Sequence, residues 1–131
     1  MRWQKKAVRA TNRTRGTVVG QSIRVAETGL QRIVGLLGER ELLRGDGLLI
    51  VPSQGVHTWG MRFPIDIAVL DDDWTVIATR RVMRPFRMTR MFWKAAAVLE
   101  LPAGALESTS TSVGDMIEFD RVSASPQPVR K

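Results

Sequence analysis

Residues 64–79 read "PIDIAVLDDDWTVIAT", and the reading of this stretch decides the fold. Two runs rich in β-branched and aromatic residues flank three consecutive aspartates. Such runs fit the pleated, half-buried surface of a strand, and Asp side chains accept bonds from nearby backbone N–H groups in turns. The stretch predicts a β-hairpin. Working outward, "SIRVA" (22–26) alternates apolar and polar residues as a half-buried strand does. "GDGLLIVP" (45–52) turns and then runs apolar up to Pro52. "AVLELP" (97–102) and "DMIEFDRV" (115–122) read as further strands, and "AGALESTSTSVGD" (103–115) as a short helical turn ending in a loop at Gly114. In "TGLQRIVGLLGERELL" (28–43), Leu30, Ile33, Val34 and Leu37 fall on one helical face, which predicts a short helix over 29–37. About six strands and one or two short helices, without regular βαβ alternation, imply α+β: a mainly antiparallel sheet or a small, partly open barrel.

At 131 residues the chain fits one domain with a core that needs neither disulfide nor metal. There is no cysteine, so disulfides, thiolate nucleophiles and cysteine-ligated metals are excluded. With a single histidine, zinc lacks its preferred ligands, and no metal or cofactor is expected. Asp71–Asp73 lacks the spacing and glycine of a calcium loop, which favours a hairpin turn. No apolar stretch approaches a membrane span, and the basic N-terminus precedes no signal-type apolar region, so a cytoplasmic protein without a membrane partner is expected.

The net charge of +7 is unevenly distributed. Residues 1–16 hold six basic groups and no acid, which leaves the remainder at +1. That segment has few large apolar residues and reads as a basic mobile arm, followed by a single β-rich domain over 17–122 and a flexible tail over 123–131.

The order of motifs then becomes recognisable: "GDGLLIVP", "HTWGMRFPIDIAVLD", "MRPFR", "AVLELPAG" and "VGDMIEF". With its central Trp59, Met61, Arg62, Pro64, Ile65 and Asp66, residues 22–120 resemble the domain of unknown function 192 family of small, mainly prokaryotic proteins. The resemblance implies a compact β-rich domain with helical additions. It implies no reaction.

Two candidate sites follow. The first is a ligand-binding groove near "HTWGMRFPID" (57–66), built from His57, Trp59, Arg62 and Asp66 with Arg84 and Arg87. Arg62 would clamp a small anion and His57 would donate a proton. The structural alternative has Asp66 accepting backbone N–H bonds and His57 as a bonded support. The second is a polyanion surface combining Lys5, Lys6 and Arg9 of the arm with Arg90 and Lys94 of "RRVMRPFRMTRMFWK" (80–94). There Arg81, Arg84, Arg87 and Arg90 recur every third residue, a spacing that lines up one edge of a polyproline-like segment. Basic residues interleaved with aromatics suit single-stranded nucleic acid or an acidic protein. The structural alternative is a strand and loop with Val82, Phe86 and Trp93 packed inward. A Ser53–His57–Asp66 triad can be written, but "VPSQG" lacks a nucleophile elbow. The reading is a binding module, more readily than an enzyme.

Overall fold

The hairpin forms as expected in a computed structural model that describes residues 7–27, 41–56, 58 and 61–121. In chain order the elements are β1 (Ala7–Asn12), β2 (Thr17–Ala26), β3 (Asp46–Ile50), β4 (Ile65–Leu70), β5 (Val76–Met83), β6 (Ala97–Pro102), the short α1 (Ala105–Ser108) and β7 (Ile117–Arg121). Asp71 closes the β4–β5 turn: its Oδ1 accepts the N–H groups of Asp73 at 3.0 Å and Thr75 at 2.9 Å. The helix expected over 29–37 and the tail expected over 123–131 lie outside the described residues.

One sheet holds all seven strands in the order β5-β4-β6-β3-β2-β1-β7. Neighbours are antiparallel except β2 and β3, which are parallel, so the sheet is mixed rather than wholly antiparallel. It also curls. Thr75 of the β4–β5 turn bridges Met116, the Val76 N–H donates to the Asp115 carbonyl at 2.8 Å, and the Trp74 ring meets Phe119 edge-on at 5.1 Å. The two edge strands are thereby joined at one end, and the sheet is a curled half-barrel.

The seventh strand is β1, and it corrects the expected mobile arm from residue 7 onward. Ala10 and Asn12 are buried, and β1 is paired on both sides. A run this poor in large apolar residues would not order alone; backbone pairing and a polar network hold it. Asn12 Nδ2 donates to Thr111 Oγ1 at 3.0 Å and to Asp115 Oδ2 at 2.9 Å, while its Oδ1 accepts the Arg15 N–H at 3.0 Å. The arginines of this segment meet acids near β7: Arg9 with Asp120 at 4.0 Å, Arg13 with Glu118 at 3.4 Å, and Arg15 with Asp115 at 3.1 Å.

The sheet buries both faces. Ile23, Leu49, Leu70, Val76, Leu99, Leu101 and Ile117 meet inside the curl, where α1 adds Leu106. On the other face lie Leu48, Ile50, Ile65, Ile67, Val69 and Val98. Strand order explains what covers them. β3 and β4 run the same way on either side of β6, as do β5 and β6 on either side of β4. The described residues between β3 and β4 and residues 84–96 therefore belong to crossovers, and Met61, Phe92, Val56, Phe63 and Ala95 from them pack on this second face.

Candidate functional site

The two crossovers are zipped together by their backbones, and Thr58 is the central clamp. Fully buried, it donates its N–H to the Arg87 carbonyl at 2.7 Å, and its own carbonyl accepts the N–H of Phe86 at 3.2 Å. Its hydroxyl donates to the Arg84 carbonyl at 2.7 Å and accepts the Arg87 N–H at 2.9 Å. Further along, the Thr89 N–H donates to the Val56 carbonyl at 2.9 Å and the Phe92 N–H to the Gln54 carbonyl at 2.8 Å. Gly55 permits this approach, since a Cβ there would stand 2.8 Å from Thr89 Oγ1 and 3.0 Å from the Arg90 carbonyl.

The outer side of this zipper is cationic and apolar at once. Val82, Phe86, Met88, Met91 and Trp93 are 51%, 67%, 64%, 51% and 78% exposed. The inward packing expected of Val82, Phe86 and Trp93 is thus corrected; Met83 and Phe92 are the buried members. The Phe92 ring carries two guanidiniums, Arg90 at 4.3 Å and Arg80 at 5.7 Å from its centroid. Arg81, Arg84, Arg87, Arg90 and Lys94 are exposed, and among the described residues none of them has an ion-pair partner. The continuous polyproline-like edge is not formed, because Arg81 belongs to β5, Pro85 and Phe86 make a turn, and only the later residues are bonded to Gln54, Val56 and Thr58.

Two backbone positions here are unusual. Val82 has φ 50° and Phe86 φ 65°, in the left-handed region that costs side-chain-bearing residues free energy. Val82 is held by Asp66. The β4–β5 register slips by one residue between Ile65↔Met83 and Ile67↔Arg80, and Asp66 Oδ1 accepts the Val82 N–H at 2.8 Å inside that bulge. Its Oδ2 accepts the Leu106 N–H of α1 at 2.9 Å. Asp66 is fully buried with both oxygens engaged, so it leaves the ligand-binding set and acts as a structural clamp between β5 and α1.

The remaining candidates divide as follows. Arg62 is exposed just before β4, at the end of the β4–β5 pair where Arg84 leaves β5. Arg84 and Arg87 of the first set and Arg90 and Lys94 of the second share the 84–96 crossover. Arg9, half-exposed, stands 4.0 Å from Asp120. His57, Trp59, Lys5 and Lys6 lie outside the described residues. Ser53 Oγ donates to the Gly55 carbonyl at 2.8 Å, and both Asp66 oxygens accept backbone N–H groups.

The groove expected near 57–66 includes His57 and Trp59, which lie outside the described residues. Two clefts lined by described residues lie elsewhere. One, of about 800 Å³, runs between Thr17–Gln21, Arg44 and Gly104–Thr109. Its Thr17, Ser108 and Thr109 hydroxyls all donate to backbone carbonyls of the domain itself. The other, of about 390 Å³, lies between Asp71, Asp72, Trp93 and Lys94.

Sequence reasoning missed Thr58, whose role depends on a partner 26 residues away. It also missed Glu100, a carboxyl 3% exposed in the centre of β6 between Leu48 and Ile67. Burial pushes that carboxyl up to about 8. Its signal was legible: a charged residue inside the apolar run "AVLELP".

The family model described as Uncharacterized ACR, domain of unknown function 192, matches residues 10–119. The chain belongs to this family. A UPF0127 protein of Thermococcus sibiricus is 28% identical over 126 residues, covering 90% of this chain and 80% of its own. A UPF0127 protein of Pyrococcus furiosus is 28% identical over 116 residues, covering 85% and 97%. A crystal structure of a protein of unknown function from Novosphingobium aromaticivorans has the same fold, with a TM-score of 0.75 at 21% identity, covering 88% of this chain and 85% of that one. The match from residue 10 takes in the second half of β1, in keeping with its place in the sheet.

Proposed function

We propose that this member of the domain of unknown function 192 family is a binding module that recognises an anionic partner through residues 80–94, with Arg62 alongside. The observation that carries the reading is the exposure, on a backbone locked by Thr58, of Arg84, Arg87 and Arg90 with no ion-pair partner among the described residues. Guanidiniums bind carboxylates and phosphates through paired N–H groups, and a fixed backbone lowers the ordering cost of contact. Asp66 and Ser53, two of the three residues from which a hydrolytic site could be written, are bonded to backbone groups of the fold.

Retention on an immobilised sulfated polysaccharide tests the reading. The intact chain should elute at high salt, and Arg84→Glu with Arg87→Glu and Arg90→Glu at markedly lower salt. Arg9→Glu, which removes a cation already facing Asp120, should shift elution much less. Coincident elution of the triple variant and the native chain would refute it.

A further inference from the structure

The charges on this surface leave unexplained why apolar side chains stand among them. Phe86 is the clearest case: it occupies a left-handed backbone conformation and is still 67% exposed. A left-handed residue is ordinarily compensated by packing or hydrogen bonding elsewhere. The Phe86 N–H is bonded to Thr58, but the ring gains little from the isolated domain. Met88 and Met91 repeat the pattern at 64% and 51% exposure.

Resting on the anion-recognising reading above, we infer that residues 84–91 dock the domain on the surface of an anionic lipid bilayer. Phe86, Met88 and Met91 enter the headgroup layer, while Arg84, Arg87 and Arg90 meet lipid phosphates. Three observations favour lipid. No Asp or Glu occurs between residues 74 and 99, so the whole stretch has one sign of charge. The apolar groups are largely aliphatic, and methionine offers a nucleobase no flat ring to stack on, whereas it partitions readily into acyl chains. Cationic and apolar residues also alternate almost singly, instead of forming the apolar centre and polar rim of a protein–protein contact. An interface of mobile headgroups accommodates that alternation, because arginine stems lie along acyl chains while their heads stay at the phosphates.

The contact ends before the acidic turn. Trp93 and Lys94 stand beside Asp71 and Asp72, whose charge disfavours an anionic surface there. The backbone needs no refolding to dock, since the Thr58 and Val56 bonds already fix it. Among the described residues no helix is long and apolar enough to cross a membrane, and peripheral docking requires none.

Co-sedimentation of the full chain with vesicles decides the matter. Binding is expected to vesicles of phosphatidylcholine with phosphatidylglycerol and not to phosphatidylcholine alone. Each Lys or Arg near an anionic surface contributes roughly five-fold, so Arg84→Glu with Arg87→Glu should lower partitioning by more than about 20-fold. Phe86→Asn with Met88→Ser keeps the charges, and Asn tolerates the left-handed backbone. This variant should lose roughly ten-fold on vesicles yet elute from the polysaccharide as the native chain does. Unchanged melting temperatures would exclude misfolding as the cause. If an oligonucleotide or acidic peptide binds while anionic vesicles do not, the lipid inference falls and the anion-recognising reading stands. Vesicle binding that both variants retain also overturns the inference. Failure to bind either vesicles or polysaccharide would sink both.

Discussion

Replacing Glu100 by glutamine should stabilise this protein at neutral and alkaline pH. The side chain is buried between Leu48 and Ile67, and among the described residues it has no hydrogen-bonded or ionic partner. Desolvation raises its pKa from 4.5 to about 8. The sign follows from proton counting. Below pH 4.5 folded and unfolded chains both hold the proton, so stability is greatest with respect to this group. As pH rises from 4.5 to about 8 the unfolded chain releases a proton that the folded one retains, and stability falls. One pH unit corresponds to about 1.4 kcal/mol, so the full loss is at most ~5 kcal/mol, against a total of roughly 5–15 kcal/mol for a domain. Glu100→Gln abolishes this slope and replaces an unpaired neutral carboxyl by an unpaired amide of similar burial cost. The variant should therefore run close to the native protein at pH 5 and exceed it increasingly as pH rises, by ~2–4 kcal/mol above pH 8. At about 4 °C per kcal/mol that is a melting-temperature gain on the order of 10 °C. Urea unfolding followed by tryptophan fluorescence from pH 5 to 9 measures both curves. Parallel profiles would refute the reasoning, because they would mean that folding does not shift the Glu100 carboxyl.

Three further outcomes follow from the same geometry. Thr58→Val preserves shape but leaves the Arg84 carbonyl and Arg87 N–H without their hydroxyl partner, costing about 1–3 kcal/mol; hydrogen exchange at Arg87 and Thr89 should accelerate, and unchanged protection would contradict the clamp. Asp66→Asn sets an amide N–H₂ against one of two backbone donors, at a cost of about 2–4 kcal/mol in urea unfolding, and an unaltered midpoint would rule out its place between β5 and α1. For Asp115, burial alone would raise the carboxyl, but hydrogen bonds from Asn12 and Ser112 and the Arg15 guanidinium together hold it below the usual range. Its contribution is present above pH 3.8 and lost as pH falls through the lowered folded pKa, so acid unfolding of Asp115→Asn should show a shallower pH dependence below about pH 4 than the native chain.

Much of the fold was legible in local pattern. The β4–β5 hairpin, β3, β6, the short turn at α1 and β7 each announce themselves by alternation, apolar runs or turn residues. β1 did not, since its order comes from pairing with β2 and β7 and from a polar network whose members lie about a hundred residues apart. For the site, the sequence marked the arginines and their aromatic and methionine neighbours, but read the faces of Val82, Phe86 and Trp93 the wrong way round. A strand's alternation assigns faces only while the register holds, and the bulge at Val82 followed by the turn at Phe86 breaks it.

Composition alone determined that this chain folds as one cysteine-free β-rich unit, because the apolar content suffices for a core and the strand pattern is local. The tertiary structure alone decided which charges are neutralised. Arg9, Arg13 and Arg15 look as basic in sequence as Arg84, Arg87 and Arg90, yet the first three face the acids of the β7 region while the last three ride on a crossover and have no ion-pair partner among the described residues. The physical reason is that a charge acquires its partner through space, and strand order sets which distant residues become neighbours.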